Sequence, residues 1–108
     1  MIPILWSPHA ESLLDDIVMK IAEALSVDDA LTWETKIRSA TYAIADFPLL
    51  GPLVPTECFF LPPPDPERLR QLICAPYRIV YEATDSACYI LSIRHTRMVL
   101  GVDDTSWN

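Results

Sequence analysis

Residues 69–97 read LRQLICAPYRIVYEATDSACYILSIRHTR, and the fold follows from them. The stretch holds three short runs rich in Ile, Val, Tyr and Leu: Leu69–Cys74, Tyr77–Ala83 and Cys88–Arg94. Ala75-Pro76 separates the first two, and Thr84-Asp85-Ser86-Ala87 the last two. Apolar, β-branched runs of this length bounded by Pro, Asp and Ser predict strands joined by tight turns. The connections are too short for a crossover helix, so the strands should form an antiparallel meander. In the middle run, Tyr77, Ile79, Tyr81 and Ala83 point to one face and Arg78, Val80 and Glu82 to the other. Five of the eight basic residues, Arg68, Arg70, Arg78, Arg94 and Arg97, lie in or beside this sheet.

Upstream, Ile2–Trp6 predicts a strand in which Pro3, lacking an N–H, suits an edge position. Ser7 is a good N-cap and Pro8 a good first helical residue. Ala10, Leu13, Leu14, Ile17, Val18, Ile21 and Leu25 then recur at three- and four-residue steps, a helix with one apolar stripe. Ser26-Val27-Asp28-Asp29 interrupts the stripe and supplies caps for a second helix. Its stripe is Ala30, Trp33, Ile37, Ala40, Ile44 and Phe47, ended by Pro48. So short a connection makes an antiparallel helical hairpin that needs a sheet to cover. The expected class is α+β: an N-terminal strand, then a helical hairpin packed on a C-terminal antiparallel β-meander, in one domain spanning 1–108.

Pro48–Glu67 carries seven of the ten prolines, including Pro62-Pro63-Pro64, and is expected to be extended or irregular. Leu49, Leu50, Leu53, Val54, Phe59 and Phe60 are too apolar for a solvated linker, so this 48–67 loop should fold back across the core edge. In the 98–108 tail, Met98–Val102 is placed as an extension of the last strand. The end is expected to be mobile or to pack through Trp107.

Hydrophobic content of 51% and charged content of 21% suit a folded globular chain. No apolar run approaches the ~20 residues that span a bilayer, and the N-terminus lacks the pattern of a signal peptide. A cytoplasmic protein without a membrane partner is expected. Cys58, Cys74 and Cys88 include no CxxC pair, and with His9 and His95 they give no zinc spacing. Neither metal nor other cofactor is expected.

The net charge of −7 argues against binding free nucleic acid. Its distribution is uneven: residues 1–67 hold three basic and eleven acidic groups, whereas residues 68–97 hold five basic groups against Glu82 and Asp85. The acid sits on the first half of the chain, and the sheet is locally positive.

Several local motifs fall on these elements in a familiar order. They are Trp6-Ser7-Pro8 with Ala10 and Leu13-Leu14, then Phe47-Pro48 with Leu50-Gly51, then Arg70 with Leu72. Tyr77-Arg78-Ile79-Val80-Tyr81 follows, and Ile90-Leu91-Ser92-Ile93 with His95 and Arg97 completes the set. Together, over residues 6–97, the chain resembles the RelE/ParE superfamily of bacterial type II toxin–antitoxin toxins, on the ParE side. It departs from ParE-like chains in having Pro52 and Met98 where arginines are common, and in a longer proline-rich loop.

The resemblance implies a toxin with a cognate antitoxin partner. ParE-like members bind and poison DNA gyrase; RelE-like members cleave mRNA on the ribosome. A fold-retaining remnant that only binds its antitoxin is a third reading. Cleavage through a 2′-hydroxyl needs a base, an acid and cations on the phosphate. His95 is the candidate base or acid, Arg78 and Arg94 the phosphate cations, and Glu82 an alternative base. Arg94 and His95 are neighbours and point to opposite faces, so the four converge only if the strand bulges or ends at Arg94. A binding toxin needs only a surface, for which the candidates are Arg70, Arg78, Arg94, His95 and Arg97. In plainer roles, His95 is a hydrogen-bonding residue at a strand end, and Arg78 pairs with Glu82 or stacks on an aromatic ring.

Overall fold

The computed structural model describes residues 1–108. Strand β1 (Ile4–Trp6) leads into α1 (Pro8–Ala24), α2 (Val27–Ala40) and a single turn, α3 (Ala43–Asp46). After the proline-rich loop come β2 (Arg70–Cys74), β3 (Tyr77–Ala83) and β4 (Cys88–His95). The sheet order is β1-β4-β3-β2, with β1 parallel to β4 and the meander antiparallel.

The helix starts form as their sequences dictate. Ser7 Oγ accepts the Ala10 N–H at 3.0 Å and donates to the Leu91 carbonyl at 3.2 Å, so the α1 cap is also nailed to β4. Ser26 Oγ accepts the Asp29 N–H at 3.0 Å to cap α2. Arg38 clasps the hairpin through two bonds to Glu11, at 2.8 and 3.1 Å, while its guanidinium lies over the Trp6 ring. The Glu11 bond is the main reason the Arg38 pKa is raised.

One helix does not run as far as its pattern suggests. The Thr41 hydroxyl donates to the Arg38 carbonyl at 2.7 Å, in competition with the helical ladder, and α2 ends there. The chain resumes as α3, which keeps Ile44 buried but leaves Phe47 exposed.

Both faces of the sheet are covered. On one, Ile79, Tyr81, Ile90 and Ile93 pack against Ala10 and Leu14 of α1, Ile37 of α2 and Ile44. On the other, Val80 and Leu91 meet Leu69, Val54 and Phe59 of the loop, and Leu100 of the tail. The loop therefore covers a whole sheet face rather than the core edge alone. It buries only Val54 and Phe59 of its large apolar residues; Leu49, Leu50, Leu53 and Phe60 are exposed. For the pairs Leu53/Val54 and Phe59/Phe60 the reason is period two: Leu53 bridges to Arg70 and Phe59 to Leu100, and in extended chain one neighbour goes in as the next goes out. Leu49 and Leu50 lie at a turn.

The start of the tail also departs from expectation, whereas its end packs through Trp107 as expected. Met98 N–H bonds back to the His95 carbonyl, so β4 ends in a turn instead of continuing. Leu100 then bridges to Phe59, a short turn forms at Val102–Asp104, and Trp107 packs edge-on against Tyr89 with ring centroids 5.5 Å apart. β4 carries one extra residue, Leu91, between Ile90 (opposite Tyr81) and Ser92 (opposite Val80). This bulge directs both Leu91 and Ser92 to the loop-and-tail face.

Candidate functional site

The site candidates cluster where β3 begins and β4 ends. Arg78 and Arg94 lie directly opposite each other on the loop-and-tail face, a like-charge pair that needs separate partners to be tolerated. Arg78 is only 8% exposed, and its Nε donates to Gln71 Oε1 on β2 at 2.7 Å. It does not pair with Glu82, whose carboxylate takes the Arg68 guanidinium at 3.1 Å. Arg70 is turned onto the loop and donates to the Gly51 carbonyl at 2.8 Å.

Arg94 belongs to a buried polar cluster centred on Asp104. Oδ1 of Asp104 accepts the Ser92 hydroxyl at 2.5 Å, His9 Nε2 at 3.0 Å and Arg94 Nε at 3.1 Å, while Oδ2 accepts the Gly101 N–H at 2.9 Å. Burial pushes the Asp104 carboxyl up, but the hydrogen bonds from Ser92, His9 and Gly101 and the nearby Arg94 charge outweigh it. The carboxyl is held below the ordinary aspartate range. An ionised carboxylate only accepts, so His9 carries its proton on Nε2. Ser, His and Asp are the residue types of a hydrolytic triad, yet here serine and histidine both donate to one aspartate oxygen. Neither can pass a proton to the other, and the cluster works as a clamp joining α1, β4 and the tail.

His95 lies on the helix face. Its ring meets Tyr77 edge-on, and Tyr77 meets Trp33 of α2 in the same way, linking β4, β3 and α2. His95 Nδ1 accepts the Arg97 N–H at 3.1 Å, a local bond that stabilises the turn after β4. With Leu13, Asp16 and Lys20 of α1 and with Met98, His95 lines an open groove between helix and sheet end. Arg97 is exposed and free of ion pairs.

Arg94 borders the same groove as His95, but Arg70 is turned onto the loop and Arg78 onto Gln71. The five residues Arg70, Arg78, Arg94, His95 and Arg97 therefore share one end of the sheet without forming one continuous surface. The bulge at Leu91 precedes Arg94 and leaves Arg94 and His95 on opposite faces. Asp104, His9 and Gln71, which help organise this end, are not marked by any sequence pattern, and the motif and charge count that include Ser92 and Arg68 do not show what these two bind. Asp104 reads as a tail acid beside Asp103, and only the folded tail brings it to Ser92. Cys74 and Cys88 are buried free thiols and Cys58 is half-buried; burial pushes the Cys88 thiol up. No three His, Cys, Asp or Glu side chains are grouped to hold a metal ion, and no helix is long and apolar enough to cross a membrane.

A family model described as the ParE toxin of the type II toxin–antitoxin system parDE matches residues 4–100. The chain belongs to the ParE toxin family. A solved structure titled as the chromosomal ParDE TA system from P. aeruginosa superimposes with a TM-score of 0.69 at 20% sequence identity, over 88% of this chain and 96% of that one. That likeness establishes the shared fold, helical hairpin and sheet together. The curated protein sequences contain no match. As a ParE-family chain, this protein is a toxin of a type II toxin–antitoxin system.

Proposed function

We propose that this ParE-family toxin acts by binding, holding DNA gyrase in its cleaved-DNA intermediate, and that a cognate antitoxin neutralises it. The observation that supports binding over RNA cleavage is the scatter of the acid–base groups. His95 faces the helices, whereas Arg78, Glu82 and Arg94 face the loop and tail, and Gln71, Arg68 and Asp104 respectively engage them. A nuclease needs a base and an acid on either side of one phosphate. The test is direct: purified toxin with gyrase and supercoiled plasmid should accumulate linear DNA, and the same toxin with programmed ribosomes should leave mRNA intact. Ribosome-dependent cuts without DNA breaks would overturn the proposal.

The antitoxin is assigned to the helical side. Of the hairpin's residues only Ala10, Leu14, Ala30 and Ile37 are fully buried, and Met19, Leu25, Val27 and Leu31 stand exposed among acidic groups. A helix or strand with Lys or Arg beside its apolar anchors fits that surface. Replacing Asp15, Asp16 and Glu23 together by their amides should slow association at low salt, because charge complementarity acts chiefly on the on-rate. Stopped-flow association rates equal to those of the parent would remove this assignment.

A further inference from the structure

The outer surface of the loop and tail is a second exposed surface that is both apolar and acidic, on the sheet face opposite the hairpin. Leu100 N–H bonds to the Cys58 carbonyl at 2.8 Å and Phe60 N–H to the Leu100 carbonyl at 2.9 Å, and the side chains of Phe59 and Leu100 enter the core. Alternation then turns the flanking Phe60 and Val99 outward. Phe60 is 78% exposed and Val102, further along the tail, 74%; Leu61 is exposed beside them. Arg68 closes the far end, bonded to Asp65 of the loop at 3.1 Å and to the Thr105 carbonyl of the tail at 2.6 Å. Loop and tail are thus bonded side by side at both ends, so these apolar side chains sit on a fixed ribbon. Grouped exposed apolar residues of this kind mark contact surfaces.

The ribbon's charge points to the partner. Glu57, Glu67 and Asp103 are exposed on it and make no ion pair, while its one cation, Arg68, is engaged by Asp65 and Glu82. We infer that this acidic, apolar ribbon is the surface by which the toxin grips its target protein, through a target segment carrying Lys or Arg beside apolar anchors. The inference rests on the gyrase-directed reading above. A protein that passes DNA must present basic surface along the DNA path, opposite in sign to the ribbon. A second copy of this chain is a poorer occupant, because its carboxylates would face their own kind. The ribbon lies across the sheet from the hairpin, so target and antitoxin would use different faces.

Two variants test this with purified toxin, gyrase and supercoiled plasmid: Phe60→Ser with Val102→Ser, and Glu57→Gln with Glu67→Gln and Asp103→Asn. The apolar variant should need roughly tenfold more toxin for half-maximal linear DNA, the scale of losing a contact hot spot. The charge variant should bind gyrase more slowly at low salt, with the difference shrinking as salt rises. Both should keep the parent's thermal midpoint and antitoxin affinity, which establishes that they fold. Parent-like DNA cleavage by the apolar variant overturns the inference, as does an equal loss of antitoxin affinity or a loss of self-association that tracks with activity. If the parent toxin itself yields no gyrase-dependent breaks, the gyrase reading fails first and the inference with it, a result separable by that arm alone.

Discussion

Gly51→Ala is expected to destabilise the protein by about 3 kcal/mol, the upper part of the usual range for forcing atoms into packed space. The strain is one of space and not of backbone conformation, since no glycine has positive φ. A Cβ at residue 51 would lie 2.3 Å from the Gln71 carbonyl oxygen and 2.8 and 2.9 Å from Cε1 and Oη of Tyr81. The carbonyl belongs to β2, which is paired along its length with β3, and Tyr81 is wholly buried. Neither can move aside without breaking other contacts. The close approach also makes three bonds. Gly51 N–H donates to Tyr81 Oη at 2.9 Å, that hydroxyl donates to the Pro48 carbonyl at 2.9 Å, and Arg70 holds the Gly51 carbonyl. Pushing the loop off the sheet leaves the buried hydroxyl unpartnered as well. Tyr81→Phe, which removes the hydroxyl and keeps the space, should cost less, about 1–3 kcal/mol. Urea unfolding checks the order: both midpoints should fall, that of Gly51→Ala further, with the slope unchanged. A Gly51→Ala midpoint equal to the parent's would show that the loop can lift freely.

Asp104→Asn should destabilise by about 2–4 kcal/mol, the lower end reflecting the partial exposure of its Arg94 partner. The carboxylate is 2% exposed and accepts four hydrogen bonds. An amide offers one acceptor atom and one donor atom, so either orientation sets its NH₂ against at least one of those donors. Arg94 also loses its counter-ion beside Arg78. The pH dependence carries a definite sign. The folded carboxyl lies below its unfolded value of ~3.9, so its contribution is fully present above that value and fades as pH falls through the lower folded one. The parent should therefore lose stability below about pH 4, and Asp104→Asn should lose less over the same interval. Denaturant midpoints at stepped pH measure both effects; parallel curves for parent and variant would show that Asp104 does not titrate with folding.

Much of this fold was legible because its signals are local. The Ser7-Pro8 start of α1, the Ser26 cap of α2 and the bounds of β3 each depend on a few consecutive residues. Helix α2 overran on paper because the stripe continues in register through Ile44, while the Thr41–Arg38 bond that ends it is invisible to periodicity. The loop misled for a related reason. Its apolar content is real, but which residues it buries depends on two isolated bridges to Arg70 and Leu100, partners 17 and 41 positions away.

For the site, the sequence by itself determined the residue types and their strand faces: Arg78 beside Glu82, and Arg94 opposed to His95. Alternation along a strand is a property of the backbone, and no tertiary contact can reverse it short of a bulge at that point. Only the tertiary structure decided which of these cations is free. Gln71, Arg68 and Asp104 engage Arg78, Glu82 and Arg94, pairings that neither strand alternation nor the charge pattern specifies. Ion pairs and buried hydrogen bonds depend on distances of about 3 Å between atoms far apart in the chain. Such distances exist only once loop and tail have closed over the sheet, and that closure turns a positive sheet end into a clamped one with an acidic ribbon outside it.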